Sequence, residues 1–385
     1  MHVRTFLVTI FLLLYLASCR KNSSSLSNTD VPPESFSQVF DQFWNNMNTN
    51  YVYWDVDTTN WDDMYNRFRS QFSQLNLQND NDVQRSLIYF RQMTKGLIDA
   101  HYSINFVPPV INGSYIFPAL ERKENTPGFH SSFLYLSVDS GYFDAGYRYG
   151  EYVNAANEQL YAACAIINKQ VLYFTCSQFS LEEAWSATSN NGVKAVLQYF
   201  FNQLQNLPDN IKGIILDVRN NKGGDVVDLN FLMGHFITSP LHIGYTHYKS
   251  GNGRLAFTPW IRAFVQPVAG GNDFNIPIIA LADNYTRSLA EIVAMAVHTL
   301  PTGKVVGENT WGATGPITDK IVYNDGQFSI PGFLSVYTSS AAFKYANGNR
   351  YEGVGFPPDV PVAFNLDKLS LRKDAALESA LTLLK

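Results

Sequence analysis

The sequence predicts an α/β protein: an alternating strand-and-helix core, preceded by a helical domain and a small β-rich region. Three observations predict it. From Gly192 to Leu366, apolar strand-like runs alternate with helix-like runs. Strands that are apolar throughout need cover on both faces of their sheet, which helices supply. From Ser35 to Leu97, apolar residues recur at helical spacing. Between these, Ser103 to about Ala184 is dense in Tyr, Phe, Val and turn residues and reads as short strands. The expected organisation is residues 1–18 as an export signal, 19–34 as a tether, 35–102 helical, 103–184 β-rich and 185–385 as the core.

The first eighteen residues carry Arg4 and then the apolar run Phe6 to Leu16, and the junction that follows reads Leu16-Ala17-Ser18-Cys19. A basic start, a short apolar stretch and small residues before a cut are the pattern of a secretory signal. The segment Arg20 to Pro33 is rich in Ser and Asn, holds Pro32-Pro33 and reads as a tether. In the helical domain, Phe36, Val39, Phe40 and Phe43 form one stripe. Trp61, Met64, Tyr65 and Phe68 form a second, and Val83, Leu87, Ile88 and Phe90 begin a third. Val171 to Phe174 is the clearest strand of the β-rich region. The core then reads as helix Val193 to Leu204, strand Gly213 to Val218, helix Val226 to Ile237, strand Pro277 to Ala282, helix Ala290 to Leu300 and strand Val305 to Gly307.

A chain that is 46% hydrophobic is not a disordered protein. A net charge of −5 with no Lys/Arg cluster excludes nucleic acid as the main partner. Three cysteines cannot build a disulfide framework or a four-Cys zinc site. Cys164 and Cys176, on neighbouring apolar runs, fit either a disulfide or two buried thiols. The zinc-protease His-Glu-x-x-His, P-loop and Gly-x-Ser-x-Gly motifs are absent from the sequence. No cofactor and no metal are expected.

In sheets of this kind the chemistry gathers beyond the strand C-terminal ends. After the first core strand comes Asp217-Val218-Arg219-Asn220-Asn221-Lys222-Gly223-Gly224. Paired glycines turn tightly and present bare N–H groups, although any turn can look like this. After the second comes Ser288-Leu289-Ala290-Glu291, which fits a capping box. A serine there also sits at a helix N-terminus, where negative charge is stabilised, as a nucleophile and its oxyanion require.

These segments resemble the tail-specific, or C-terminal-processing, serine peptidases. Asp217 to Gly224 resembles their Asp-x-Arg-x-Asn-x-Gly-Gly signature, and Ser288-Leu289-Ala290-Glu291 their Ser-x-x-Glu helix. Gly307 to Gly312 resembles their Gly-Glu-x-Thr-aromatic-Gly segment, and Tyr351 to Asp359 their Glu-Gly-x-Gly-x-x-Pro-Asp segment. The N-terminal helices and Leu97-Ile98-Asp99-Ala100-His101 are similar to the helical domain of the tricorn-protease branch. The resemblance implies a crotonase- and Clp-protease-like core.

It also implies roles. Ser288 matches the nucleophile, and Gly224 and Leu289 match the oxyanion-hole amides. The family lysine position is Ala313 here, and Lys304 and Lys320 fall elsewhere. The tricorn-like branch uses a histidine base and a glutamate, matched by His101 and Glu352. A serine precedes that histidine in the branch, where this chain has Ala100. Asp217, Arg219, Asn221, Gly223 and Glu291 are expected to support the site. Asp99 is a further polar partner or a turn former. The pKa of His101 is expected near the usual value of about 6.5, moved upward if Glu352 stabilises the imidazolium. Leu16 to Cys19 resembles a lipobox, which implies lipid on Cys19, a membrane partner and a periplasm-facing position, with the outer membrane favoured. The expected function is an exported serine endopeptidase acting on unfolded or tail-exposed polypeptide. The alternative is an inactive peptide- or ligand-binding module on the same fold.

Overall fold

The computed structural model describes residues 31–130, 140–317 and 326–385. The signal, most of the tether, Cys19 and Lys320 lie outside them. Helices α1 (Phe36–Asn50), α2 (Trp61–Ser73) and α3 (Asp80–Thr94) come first, followed by β1 (Ser103–Phe106), β2 (Tyr115–Ile116) and α4 (Pro118–Lys123). Then come β3 (Arg148–Val153), β4 (Gln159–Ile167), β5 (Val171–Cys176), α5 (Leu181–Ser186), α6 (Gly192–Gln205), β6 (Gly213–Asp217) and α7 (Val227–Met233). Next are β7 (Leu241–Tyr248), β8 (Ile261–Val265), β9 (Ile278–Ala282), α8 (Leu289–Thr299) and β10 (Gly303–Gly307). The chain ends with β11 (Gln327–Ile330), β12 (Leu334–Tyr337), β13 (Ala341–Tyr345), β14 (Val360–Pro361), α9 (Leu366–Ser370) and α10 (Ala375–Leu383).

The main sheet runs β14-β10-β9-β6-β5-β4-β3. Strands β14, β10, β9, β6 and β5 are parallel, and β4 and β3 close one side antiparallel. Both faces are buried, as fully apolar strands require. Leu172, Phe174, Ile214, Leu216 and Ala280 pack with α6, α7 and α8 on one face. Tyr173, Ile215, Ile279 and Leu281 pack with Ala376, Leu377 and Ala380 of α10 on the other. Cys164 and Cys176 are free, buried thiols, and burial raises the pKa of both.

The three N-terminal helices each have an asparagine or serine N-cap that accepts from the first turn: Ser35, Asn60 and Asn79. Their apolar stripes meet in an aromatic core of Phe36, Phe40, Phe43, Phe72 and Phe90. In α3 the stripe is narrower than expected, since Ile88 is exposed.

The division at 103–184 is corrected. That region is not a separate β unit, because its strands enter two different sheets. β1 and β2 join β11 and β12 in a four-stranded sheet, order β11-β12-β1-β2, whose Phe328, Phe333 and Leu334 close the helical core. β3, β4 and β5 complete the main sheet. β4 is almost wholly buried and β5 wholly so, and a β-face with that much apolar surface must be covered by the core rather than by solvent. The helical layer is thereby stitched to the core by strands from both ends of the chain.

Candidate functional site

The nucleophile candidate stands on backbone that few serines adopt. Ser288 has φ 56° and ψ −127°, directly ahead of α8. Such a conformation costs about 1–3 kcal/mol and persists only where its surroundings impose it. Here they do. Glu291 reaches back to accept from Ser288 N at 3.0 Å, as the capping box predicts. Arg287 N donates to Asn221 O at 3.0 Å, tying the serine loop to the Gly-Gly loop. Asp283 accepts from Asn220 N, Tyr285 N and Thr286 N and fastens the same two loops from beneath. Glu291 N in turn donates to Ser288 O at 2.9 Å, which starts the helix.

The Gly-Gly loop is held by a buried ion cluster. Arg219 donates through Nε and Nη2 to the two oxygens of Asp217 at 2.9 and 2.6 Å, and through Nη1 and Nη2 to Asp374 at 2.8 Å each. A planar guanidinium between two carboxylates fixes both direction and register. Asn221 donates to Cys176 O and accepts from Gly223 N, so its side chain shapes the turn. Gly223 sits so close that a Cβ on it would lie 2.6 Å from Ser288 Cβ. Gly224 has φ 146°, and a Cβ there would lie 1.9 Å from Phe179 O. Phe179 pairs with the loop through Gly223 O and Asp225 N. The amide of exposed Gly224 is outside that pairing, and neither it nor the amide of Leu289 has an acceptor among the described residues.

The base candidate is built from other parts of the chain. His101 follows α3 and lies on a cleft of about 390 Å3, together with Lys222, Arg287, Trp311 and Ala313. Lys222 and Arg287 are the chain neighbours of Gly223 and Ser288, so the cleft joins His101 to the loops carrying the nucleophile and the Gly-Gly pair. No hydrogen bond links the imidazole to Ser288. Its Nδ1 lies 3.3 Å from Ser339 Oγ. Ser339 Oγ donates to Asp99 Oδ1 at 2.9 Å. The hydroxyl proton being spent on Asp99, the oxygen accepts from Nδ1–H, which leaves the lone pair on Nε2. Asp99 is fully buried and also accepts from His101 N, Ser339 N and Thr338 Oγ1. Asp99 thus ties the His101 segment to Thr338 and Ser339.

Glu352 stands beside His101, a carboxylate oxygen lying within 4.8 Å of a ring nitrogen and of Asp99, but its hydrogen bonds go elsewhere. It accepts from Ala100 N through Oε1, and from Thr314 N, Thr314 Oγ1 and Gly315 N through Oε2. It fastens the segments on either side of His101 and makes no hydrogen bond to the ring. Burial, then the charge of Asp99, pushes it up to about 8. The pKa of His101 moves down rather than up. Desolvation holds the imidazole below its usual value and the Arg287 charge adds to that, while Asp99 pulls the other way. Glu291 is pushed up to about 7 by burial and additionally accepts from Thr310 Oγ1, Gly312 N and Ala313 N. It therefore also sets the loop that carries Trp311. Lys304 lies exposed on β10, away from the cleft lining.

The sequence reading missed Ser339 and Thr338. Their only signal was a polar run, Thr338-Ser339-Ser340, directly after a strand.

The peptidase family S41 model matches residues 170–362, just over half of the chain. The chain belongs to peptidase family S41. The matched span holds Ser288, the Gly-Gly loop and Glu352. A second model, the tricorn protease C1 domain, matches residues 32–80, in the helical layer that precedes His101. Among curated S41-type relatives, the carboxy-terminal processing protease CtpA of Bacillus subtilis is 28% identical over 149 residues, 39% of this chain and 28% of that protein. The chloroplastic C-terminal processing peptidase of Tetradesmus obliquus is 25% identical over 177 residues, 45% of this chain and 33% of that protein. The match thus spans a third or less of either relative's length. A solved structure of a peptidase of Parabacteroides merdae superposes with a TM-score of 0.69 at 21% identity, covering 91% of this chain and 97% of that one. Mature CPAF does so with a TM-score of 0.58 at 11% identity, covering 91% and 96%. At such identities these two likenesses are of fold.

Proposed function

We propose that this S41 chain is a serine endopeptidase that cleaves unfolded or tail-exposed polypeptides, with Ser288 as nucleophile and His101 as base. The observation that carries the proposal is the strained Ser288 backbone, held open between the Gly-Gly loop and the N-terminus of α8. His101 Nε2 takes the Ser288 proton as the oxygen attacks the scissile carbonyl. Gly224 N–H and Leu289 N–H receive the oxyanion, at a helix end that favours negative charge. Collapse returns the proton to the leaving amine and leaves an acyl-serine. Water, deprotonated by the same imidazole, then hydrolyses it. Ser339 and Asp99 fix the tautomer and offset the imidazolium charge, the part a carboxylate plays in a Ser-His-Asp triad. The processing activities named for the two curated relatives support the substrate class.

Export belongs to the same proposal: residues 1–18 as the signal, and Cys19 lipidated and holding the protein on a periplasm-facing membrane, favouring the outer membrane. No helix among the described residues is long and apolar enough to cross a membrane. A Cys19→Ala protein should leave the membrane fraction; retention there would contradict the anchor.

A second reading, a non-catalytic peptide holder, is favoured by one observation: the His101 ring bonds Ser339 and not Ser288. Catalytic hydrogen bonds often tighten only with substrate bound, so the catalytic reading is preferred. A fluorophosphonate probe decides between them. Stoichiometric labelling of the parent, lost in Ser288→Ala, supports the peptidase. An inert Ser288 in folded protein supports the holder.

A further inference from the structure

We infer that Arg287, with Lys222, forms an anion subsite that selects substrates bearing a carboxylate close to the bond at Ser288. This rests on the reading of the cleft as the polypeptide site. Arg287 directly precedes Ser288, so a group bound by its guanidinium lies within a residue or two of the reacting carbonyl. The guanidinium lies over the Trp311 ring at 5.7 Å, and Lys123 lies over the same ring at 5.0 Å. No carboxylate among the described residues pairs with Arg287, although it is half-buried. Glu291, an acid one helical turn away, is already filled by Ser288 N, Thr310 Oγ1, Gly312 N and Ala313 N. Half-buried arginines are ordinarily matched, because the charge is costly to desolvate without a partner. In this molecule Arg219 and Arg350 show the usual solution, with Asp217 and Asp374, and with Asp55.

The cleft itself points the same way. Its lining includes Arg287, Lys222 and His101, with Asn105 and Tyr115 as further polar groups, and contains no acidic residue. Lys222 is bonded to Glu158, which is not part of that lining. With Lys222 already matched by Glu158 at 2.6 Å, Arg287 is the cation of this lining that no carboxylate among the described residues matches. A planar guanidinium held against an aromatic face offers a bidentate fit to a carboxylate. The carboxylate has two sources: an internal Asp or Glu side chain, or the free C-terminus of the polypeptide.

The test is equilibrium binding, so it does not depend on turnover. Full-chain Ser288→Ala protein is titrated with fluorescent decapeptides carrying one Glu or its Gln isostere at successive positions, each as free acid and as C-terminal amide. The expected result is about tenfold tighter binding in one arm, Glu over Gln or acid over amide, as for a charge-assisted hydrogen-bonded pair. The arm identifies the source. Arg287→Gln in the same background should bring that ratio to about one. Arg287→Lys and Lys222→Gln should each lower it partly, so that misfolding of one variant does not decide the matter. Equal binding of all peptides, no binding of any, or a ratio unchanged in Arg287→Gln would overturn the subsite. Failure of phosphonate labelling in the parent would instead count against the peptidase reading alone.

Discussion

The two halves of the site are built on different principles. The nucleophile half, Asp217 to Gly224 and Asp283 to Glu291, hangs from the ends of two adjacent parallel strands, β6 and β9. Its hydrogen bonds run between these loops, within them, and to neighbours such as Asp374, Cys176 and Phe179. The base half draws on four distant segments: Asp99 to His101, Thr314 to Gly315, Thr338 to Ser339, and Glu352. Beyond the turn in which Asp99 accepts from His101 N, nothing local holds it together. The helical layer, the β11-β12-β1-β2 sheet and the core must all be in place before Ser339 reaches His101. One half is a pair of turns at the ends of parallel strands, braced by Asp374, Cys176, Phe179 and the Thr310 to Ala313 loop. The other is a product of tertiary assembly, and it should fail in different ways.

The nucleophile half should fail through stability. Arg219→Ala leaves Asp217 and Asp374 buried without their cation, and loss of one partner of a buried ion cluster costs about 3–5 kcal/mol. Chemical denaturation should show that loss, with labelling of Ser288 falling in parallel. Gly224→Ala should also act on the fold, because its Cβ meets Phe179 O and its φ is 146°. A cost of about 1–3 kcal/mol is expected from the backbone alone. A variant as stable and as active as the parent would show that the loop is softer than described.

The base half should fail through chemistry, with stability nearly kept. Ser339→Ala removes the acceptor for His101 Nδ1–H. It should lower kcat by roughly tenfold or more, as when the imidazole tautomer is no longer fixed, with little change in KM. A KM effect alone would move Ser339 out of the relay.

Acidity sharpens the same contrast. Glu352 is raised in the folded protein to about 8. Its contribution to stability is therefore full below the unfolded pKa of about 4.3 and is lost as pH rises through about 8. His235 and His247 are depressed to about 4 by burial. Their contribution is full above about 6.5 and is lost as pH falls through about 4. Melting temperature should therefore decline on both sides. Glu352→Gln should flatten the alkaline decline by about 1 kcal/mol or more, and an unchanged alkaline limb would contradict the assignment. The smallest effect is expected of Lys304→Ala, exposed on β10, which should cleave at the parent rate. Loss of activity there would restore a lysine base.

Legibility in the sequence divides along the same line. Most strands and helices expected in the core were readable because fully apolar runs such as Ile214 to Leu216 have few other uses; their boundaries fall within a residue or two of expectation except that α7 ends at Met233 rather than Ile237, and β7 and β8 went unread. Ser288, the Gly-Gly loop and Glu291 were readable because each signal is local: a turn, a cap, a spacing. The fate of residues 103–184 was not, since which sheet a strand joins depends on partners such as β12 that are far away in the chain. The relay was not readable for the same reason. Ala100 signalled that an orienting group was missing, but nothing near it pointed to Ser339. Glu352 was expected on the imidazole because the resemblance supplied its position, whereas its role depends on the amides of Ala100, Thr314 and Gly315 around it.

The central claim is that the helical layer delivers the base to a nucleophile held by the core. The most direct measurement is the rate of fluorophosphonate labelling at Ser288 from pH 5 to pH 9, in the parent and in His101→Ala. The account predicts labelling confined to Ser288, with a rising limb whose midpoint lies below the usual histidine value of about 6.5, because burial favours the neutral ring. In His101→Ala that limb should vanish and the rate should fall by about a thousandfold or more, as for loss of a member of a triad. A folded His101→Ala protein labelled at the parent rate with the same pH profile would contradict the account.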